Sequence, residues 1–175
     1  MKSINEEANL VNKKLLLRLD LNVPIVNNKI TDTTRIDKIL PTLRFLINQN
    51  TKIIIISHVG RPKGKIVNEL SLKIICEELS KKLNQNVKLF SKNIKEIDSK
   101  KLFNNNDERV IMLENIRFYP EEEKNNQQFA KHLATLADIY VNDAFSCSHR
   151  AHASLSKITK FLPSFAGLQL SLIHI

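Results

Sequence analysis

The chain has 175 residues and a formal net charge of +9, with 27 Lys+Arg against 18 Asp+Glu. At 42% hydrophobic and 26% charged it falls in the globular range, and its length suits one domain that buries most of its apolar surface without disulfides or metals. Gly60, Gly64 and Gly167 are its only glycines, where average usage gives about twelve, which excludes collagen-like and Gly-rich linker sequences and leaves no room for a G-x-G-x-x-G dinucleotide fingerprint.

Short apolar runs alternate with segments of helical period. A strand is expected at 14–19, then a helix at 34–49. The next strand, at 52–57, carries the continuous run Ile53-Ile54-Ile55-Ile56, which suits burial on both faces of a parallel sheet. The helix expected at 70–84 places Leu72, Ile75, Cys76, Leu79 and Leu83 on one apolar stripe, which assigns Cys76 to core packing. A strand at 86–90, a helix at 94–102 and a strand at 109–113 follow, with Asn104-Asn105-Asn106-Asp107 as a loop. Glu121-Glu122-Glu123-Lys124 reads as a solvated turn entering a helix at 125–136, and the last strand expected is 138–141. This alternation implies right-handed crossovers and a single-domain α/β fold. Its form is a doubly wound, Rossmann-like parallel sheet with helices on both faces.

Two cysteines, Cys76 and Cys147, cannot build a disulfide framework, so a reducing, cytoplasmic compartment is expected. The opening MKSINEEANLVNKK carries acids and no apolar h-region, so no signal peptide is expected. No apolar run is long enough for a spanning helix, so no membrane partner is expected. Aromatics are only 6% and the lysines are scattered, so the net charge reads as solvated surface rather than a nucleic-acid stripe.

In such a sheet, ligands sit beyond the carboxyl ends of the strands, so the residues following each strand matter most. These are Arg18-Leu19-Asp20-Leu21-Asn22, Ser57-His58-Val59-Gly60-Arg61, Glu114-Asn115-Ile116-Arg117 and Asn142-Asp143-Ala144-Phe145, with His149-Arg150-Ala151-His152 shortly beyond. The chain has seven Arg against twenty Lys, yet Arg61, Arg117 and Arg150 all stand just past strand ends. Arg35 falls in the first turn of a helix, where a cation opposes the dipole, and an anionic ligand would account for it. Arginine forks grip phosphate or carboxylate in bidentate fashion. Together with His58, and with Asp20 and Asn22 for hydroxyl groups, they describe a pocket for a small phosphorylated hydroxy-acid. Ordinary surface salt bridges are the alternative reading of the four arginines. Gly60-Arg61-Pro62-Lys63-Gly64-Lys65 is not a P-loop: it is one residue short between the glycines, and Ile66 stands where Ser or Thr would hold Mg²⁺. Cys147, His149 and His152 lack a second ligand pair at zinc-like spacing, so no metal is expected.

At these residues the sequence resembles the phosphoglycerate kinase family, specifically its N-terminal half. The stretches RLDLNVP (18–24), TTRI (33–36), LPTLRFL (40–46), SHVGRPKG (57–64), LENIRFYPEE (113–122), NDAF (142–145), HRAHAS (149–154) and LPSFAG (162–167) stand in the family's order. The resemblance implies a domain over 1–167 that binds 3-phosphoglycerate or 1,3-bisphosphoglycerate, followed by an atypical tail, 168–175. By the same resemblance Asp20 and Asn22 bind the hydroxy-acid end, and Arg35 sits at the reacting carboxyl. His58, Arg61, Arg117 and Arg150 then surround the substrate phosphate. The reaction implied is reversible glycolytic phosphoryl transfer between 1,3-bisphosphoglycerate and ADP. Mg-ATP or Mg-ADP would bind a C-terminal domain that this chain lacks, so the chain is expected to be the substrate half, inactive alone. A non-catalytic binding module for a phosphorylated hydroxy-acid is the other expectation. One departure is Ser146, where the family often has Gly after NDAF.

Overall fold

The computed structural model describes residues 1–7, 9–104 and 107–173. The expected loop positions Asn105 and Asn106, and the tail residues His174 and Ile175, lie outside the described residues. The main strands are β1 (Lys14–Arg18), β4 (Lys52–Ile56), β5 (Val87–Phe90), β6 (Val110–Leu113), β7 (Ile139–Asn142) and β8 (Ser164–Ala166). They form one six-stranded sheet in the order β5-β6-β4-β1-β7-β8, and every neighbouring pair is parallel. A separate hairpin, β2 (Ile25–Val26) with β3 (Lys29–Ile30), turns through Asn27 and Asn28, both at positive φ. Asparagine tolerates that conformation, which suits a two-residue turn.

Side-chain alternation along the strands splits the core in two. Leu15, Leu17, Ile53 and Ile55 face the helices α1 (Thr34–Asn48) and α2 (Lys73–Leu83). Leu16, Ile54, Ile56 and Tyr140 face the other side, against α4 (Gln127–Ala134). Both faces of the central strands are therefore covered, which is why Ile53 to Ile56 can be a continuous apolar run. The fold is the expected doubly wound α/β sheet. Cys76 lies buried on the α2 stripe with Ile75 and Leu79, its Sγ 3.1 Å from the Val87 carbonyl.

Several expectations need correction. The segment 94–102 is not one helix but two 3₁₀ turns, Ile94–Glu96 and Ser99–Lys101. Asn93 and Asp98 each accept a hydrogen bond from the backbone two residues on, so Asp98 restarts the chain where a helix would continue. The solvated turn at 121–124 is instead a short helix, α3 (Pro120–Glu123), and its Glu122 is fully buried. Strand β8 and the hairpin were not expected, because three- and two-residue strands leave no readable alternation. The tail folds as α5 (Leu168–Ile173), packed on α1 with Leu170 buried. Among the described residues no helix is long and apolar enough to cross a membrane.

Candidate functional site

The loops leaving β1, β4, β6 and β7 meet at the carboxyl edge of the sheet. They enclose a cavity of about 620 Å³ lined by Asp20, Asn22, Arg35, His58, Arg61, Arg117 and Arg150. All seven candidates are thus brought to one site. Five further residues line it, Gly60, Lys63, Glu123, Ser146 and Cys147, none of which the sequence reading assigned to the site. Lys63 and Glu123 carry no signal at the sequence level beyond lying near Arg61 and Arg117.

Asp20 and Asn22 follow β1. Asp20 accepts from Arg35 Nη1 at 2.9 and 3.1 Å, and Ser146 Oγ donates to it as well. Arg35 therefore already has a carboxylate partner within the chain, which supplies the counter-charge that the sequence reading sought in a ligand. The Arg35 side chain is 45% exposed, so this pair is worth at most about 1 kcal/mol and an incoming anion can compete for it. Asn22 Oδ1 accepts from Gly60 N at 3.0 Å, leaving its amide N–H groups as donors. Gly60 has φ +66°, and a Cβ there would lie 2.7 Å from Leu70 Cδ2. A side chain would be strained at that φ, which suits glycine to the turn between His58 and Arg61.

His58 is 4% exposed, and its Nδ1 lies 3.1 Å from Arg18 Nη2. Burial, then the cations Arg18 and Arg117, push its pKa down to about 2. Arg117 is 7% exposed, and its Nε has no hydrogen-bond partner among the described residues. The Glu123 carboxylate lies 3.8 Å from that nitrogen, beyond hydrogen-bond reach, and the weak contact from Nη1 to the Gly60 carbonyl is 3.5 Å. Burial also lowers the Arg117 pKa, as desolvation of an incompletely paired cation does. Arg61 and Arg150 are exposed, and their guanidinium groups have no partner among the described residues. The salt-bridge alternative therefore holds for Arg35, and for Arg117 only as a long contact to Glu123 with no hydrogen bond from Nε.

Ser146 lies in the 3₁₀ turn Phe145–Cys147 and is not at positive φ, so a serine fits that backbone unstrained and its hydroxyl adds a contact to Asp20. Cys147 and His152 are buried while His149 is exposed. Among the described residues no three His, Cys, Asp or Glu side chains gather as metal ligands would. The cavity's carboxylates, Asp20 and Glu123, both face guanidinium groups, and no glycine-rich loop borders it. The residues present do not fit a Mg-nucleotide.

The family profile for phosphoglycerate kinase matches residues 5–172. The chain belongs to the phosphoglycerate kinase family. It is 54% identical over 162 residues to a phosphoglycerate kinase of Wolbachia pipientis subsp. Culex pipiens, covering 93% of this chain and 41% of that protein. The phosphoglycerate kinase of Finegoldia magna is 47% identical over 168 residues, with 93% and 42% covered. Among solved structures, that of phosphoglycerate kinase from Coxiella burnetii superposes with a TM-score of 0.88 at 39% identity, covering 98% of this chain and 43% of that one. The enzyme from Pyrococcus horikoshii gives 0.87 at 29% identity, with 99% and 44% covered. The chain thus spans about two-fifths of the length of the relatives it matches.

Proposed function

We propose that this chain is the triose-binding half of a phosphoglycerate kinase, acting in the cytoplasm on 3-phosphoglycerate and 1,3-bisphosphoglycerate. The observation that carries the reading is the charge imbalance of the cavity: five cationic side chains against two carboxylates, with the buried Arg117 Nε lacking a hydrogen-bond partner among the described residues. A buried polar group is normally satisfied, so an orphaned guanidinium nitrogen asks for an anionic oxygen. The phosphate sits among His58, Arg61, Arg117 and Arg150. Asp20 and Asn22 receive the hydroxyl-bearing end. Arg35 leaves Asp20 for the reacting carboxyl and neutralises charge there during phosphoryl transfer. Such transfer depends on positioning and electrostatics more than on a nucleophilic side chain, which suits a cavity of arginines. ADP or ATP, with Mg²⁺, belongs on a C-terminal domain corresponding to the remaining length of the relatives.

Calorimetric titration of the chain with 3-phosphoglycerate, beside ATP and single-stranded DNA, tests this. Binding of the triose alone is expected, together with no turnover of 3-phosphoglycerate and Mg-ATP by the pure chain. Equal binding of ATP, or none of the triose, overturns the substrate assignment. Turnover by the chain alone overturns its half-enzyme character.

A further inference from the structure

Arg18 is absent from the cavity lining but lies directly behind it. Its side chain is fully buried and its guanidinium is held at three points. Nε donates to Ser154 Oγ at 3.0 Å, Nη1 to the Leu19 carbonyl at 2.6 Å, and Nη2 faces His58 Nδ1 at 3.1 Å. Ser154 is anchored in turn: its N–H donates to Glu122 Oε1 at 2.7 Å and its hydroxyl donates to Glu122 Oε2. Tyr140 Oη donates to the Ser154 carbonyl at 2.6 Å. Glu122 is as buried as Arg18, so the two opposite charges share one solvent-free network through Ser154.

The chemistry of this arrangement admits one assignment. A guanidinium has donors only, so the imidazole nitrogen facing it must accept. Nδ1 therefore carries no proton, and the proton resides on Nε2. That nitrogen has no partner among the described residues, while the ring lines the cavity. We propose that Arg18 is a positioning residue that locks His58 as the neutral Nε2–H tautomer, so that His58 meets the ligand's phosphate as a fixed hydrogen-bond donor rather than as a cation. The proposal rests on the reading that the cavity receives 3-phosphoglycerate, and it deepens that reading at one residue.

The surroundings of His58 agree with a neutral ring. Arg18 reaches it from β1, Arg117 from the turn Ile116–Phe118, and Arg150 and His152 from the segment after β7. Arg18, Arg117 and Arg150 are cations, and each opposes a further proton on the ring. A neutral N–H donor serves a phosphate in either ionisation state, and it adds no charge to a site already held by Arg61, Arg117 and Arg150. Sequence alone gives no sign of this, because Arg18 and His58 stand forty positions apart.

Long-range ¹⁵N–¹H correlation spectra of the full chain, labelled at histidine, read the tautomer directly. His58 should show an unprotonated Nδ1 and a protonated Nε2, unchanged from about pH 5.5 to about pH 8. Addition of 3-phosphoglycerate should shift the Nε2–H resonance. A proton on Nδ1, or a ring that becomes doubly protonated in that range, overturns the proposal whether or not any ligand binds. The correct tautomer with bound triose but an unmoved Nε2–H also overturns it, because His58 then does not meet the ligand. Absence of triose binding with the correct tautomer overturns the substrate reading while leaving the Arg18 lock in place. In the Arg18→Met variant nothing donates to Nδ1, so the spectra should show the Nδ1–H tautomer or a mixture, and triose affinity should fall about tenfold or more. A folded variant that keeps the wild-type tautomer and unchanged affinity is the contrary result. The wild-type measurement does not depend on that variant folding.

Discussion

Arg117 is the residue on which the cavity's affinity should turn. It is buried, its Nε lacks a hydrogen-bond partner among the described residues, and the Glu123 carboxylate lies 3.8 Å away. A charge-assisted hydrogen bond to a phosphate contributes about 2 kcal/mol, so Arg117→Met should weaken 3-phosphoglycerate binding about thirtyfold in a calorimetric titration. Exposed Arg44, whose guanidinium reaches the Lys82 carbonyl far from the cavity, should give no change as Arg44→Met. His58 carries a second prediction, for stability. Its folded-state pKa, about 2, lies below the ordinary 6.5, so its contribution is complete above that value and is lost as pH falls from 6.5 toward 2. Across that window the unfolded chain binds one more proton at this site, which tilts stability by up to about 1.4 kcal/mol per pH unit. Urea unfolding at several pH values should show this slope reduced in His58→Gln. Some slope remains, because burial pushes the His152 pKa down as well. The gathering of Arg61, Arg117 and Arg150 at one cavity was legible in the sequence, because all three stand just past strand ends. The occupation of Arg35 by Asp20 was not, because that pair joins the loop after β1 to the first turn of α1, fifteen positions on.

At the scale of elements, the junction of β7 with α5 is held by Asp143. Its carboxylate accepts from Thr42 Oγ1 at 2.6 Å and from Leu170 N at 2.8 Å, tying the strand end to α1 and α5 together. Gly167 packs against this carboxylate so closely that a Cβ would lie 2.4 Å from Asp143 Cγ. Gly167→Ala must push the two apart, and overpacking of this kind costs about 2 kcal/mol. The urea midpoint should fall accordingly. Because Asp143 stands three residues before the cavity-lining Ser146, triose affinity should fall with it. The long, strongly periodic elements α1, α2, β1 and β4 could be read from the sequence within a few residues. The failures have a common cause in local polar chemistry. Asp98 spends its side chain on the backbone and ends a helix that the apolar spacing favours. Glu122 sits in a run of acids that reads as solvated, and its partners in the buried network, Ser154 and Arg18, are far from it in sequence.

At the scale of the molecule, Arg18, Glu122 and Ser154 bind the first strand, the middle of the chain and the segment after β7 into one buried network. Removing one charge from a buried, bridged pair leaves the other uncompensated, so Glu122→Gln should destabilise the chain by about 3 kcal/mol in urea unfolding. A loss below about 1 kcal/mol would show that the network is dispensable for the fold. The sequence by itself determined the alternation of strand and helix, the two-faced burial of the central strands, and the arginine-rich character of the strand ends. Those features follow from hydrophobic period and residue chemistry, which act locally. Only the tertiary structure decided which arginines are already paired, which are left wanting an anion, and which nitrogen of His58 bears the proton. The scarcity of glycine fits the same division: Gly60 supplies a turn at the cavity and Gly167 a close approach to Asp143, while the cavity's cationic groups are side chains. Each of those outcomes depends on groups far apart in sequence meeting at the carboxyl edge of one parallel sheet, where the field of one loop sets the protonation and pairing of the next.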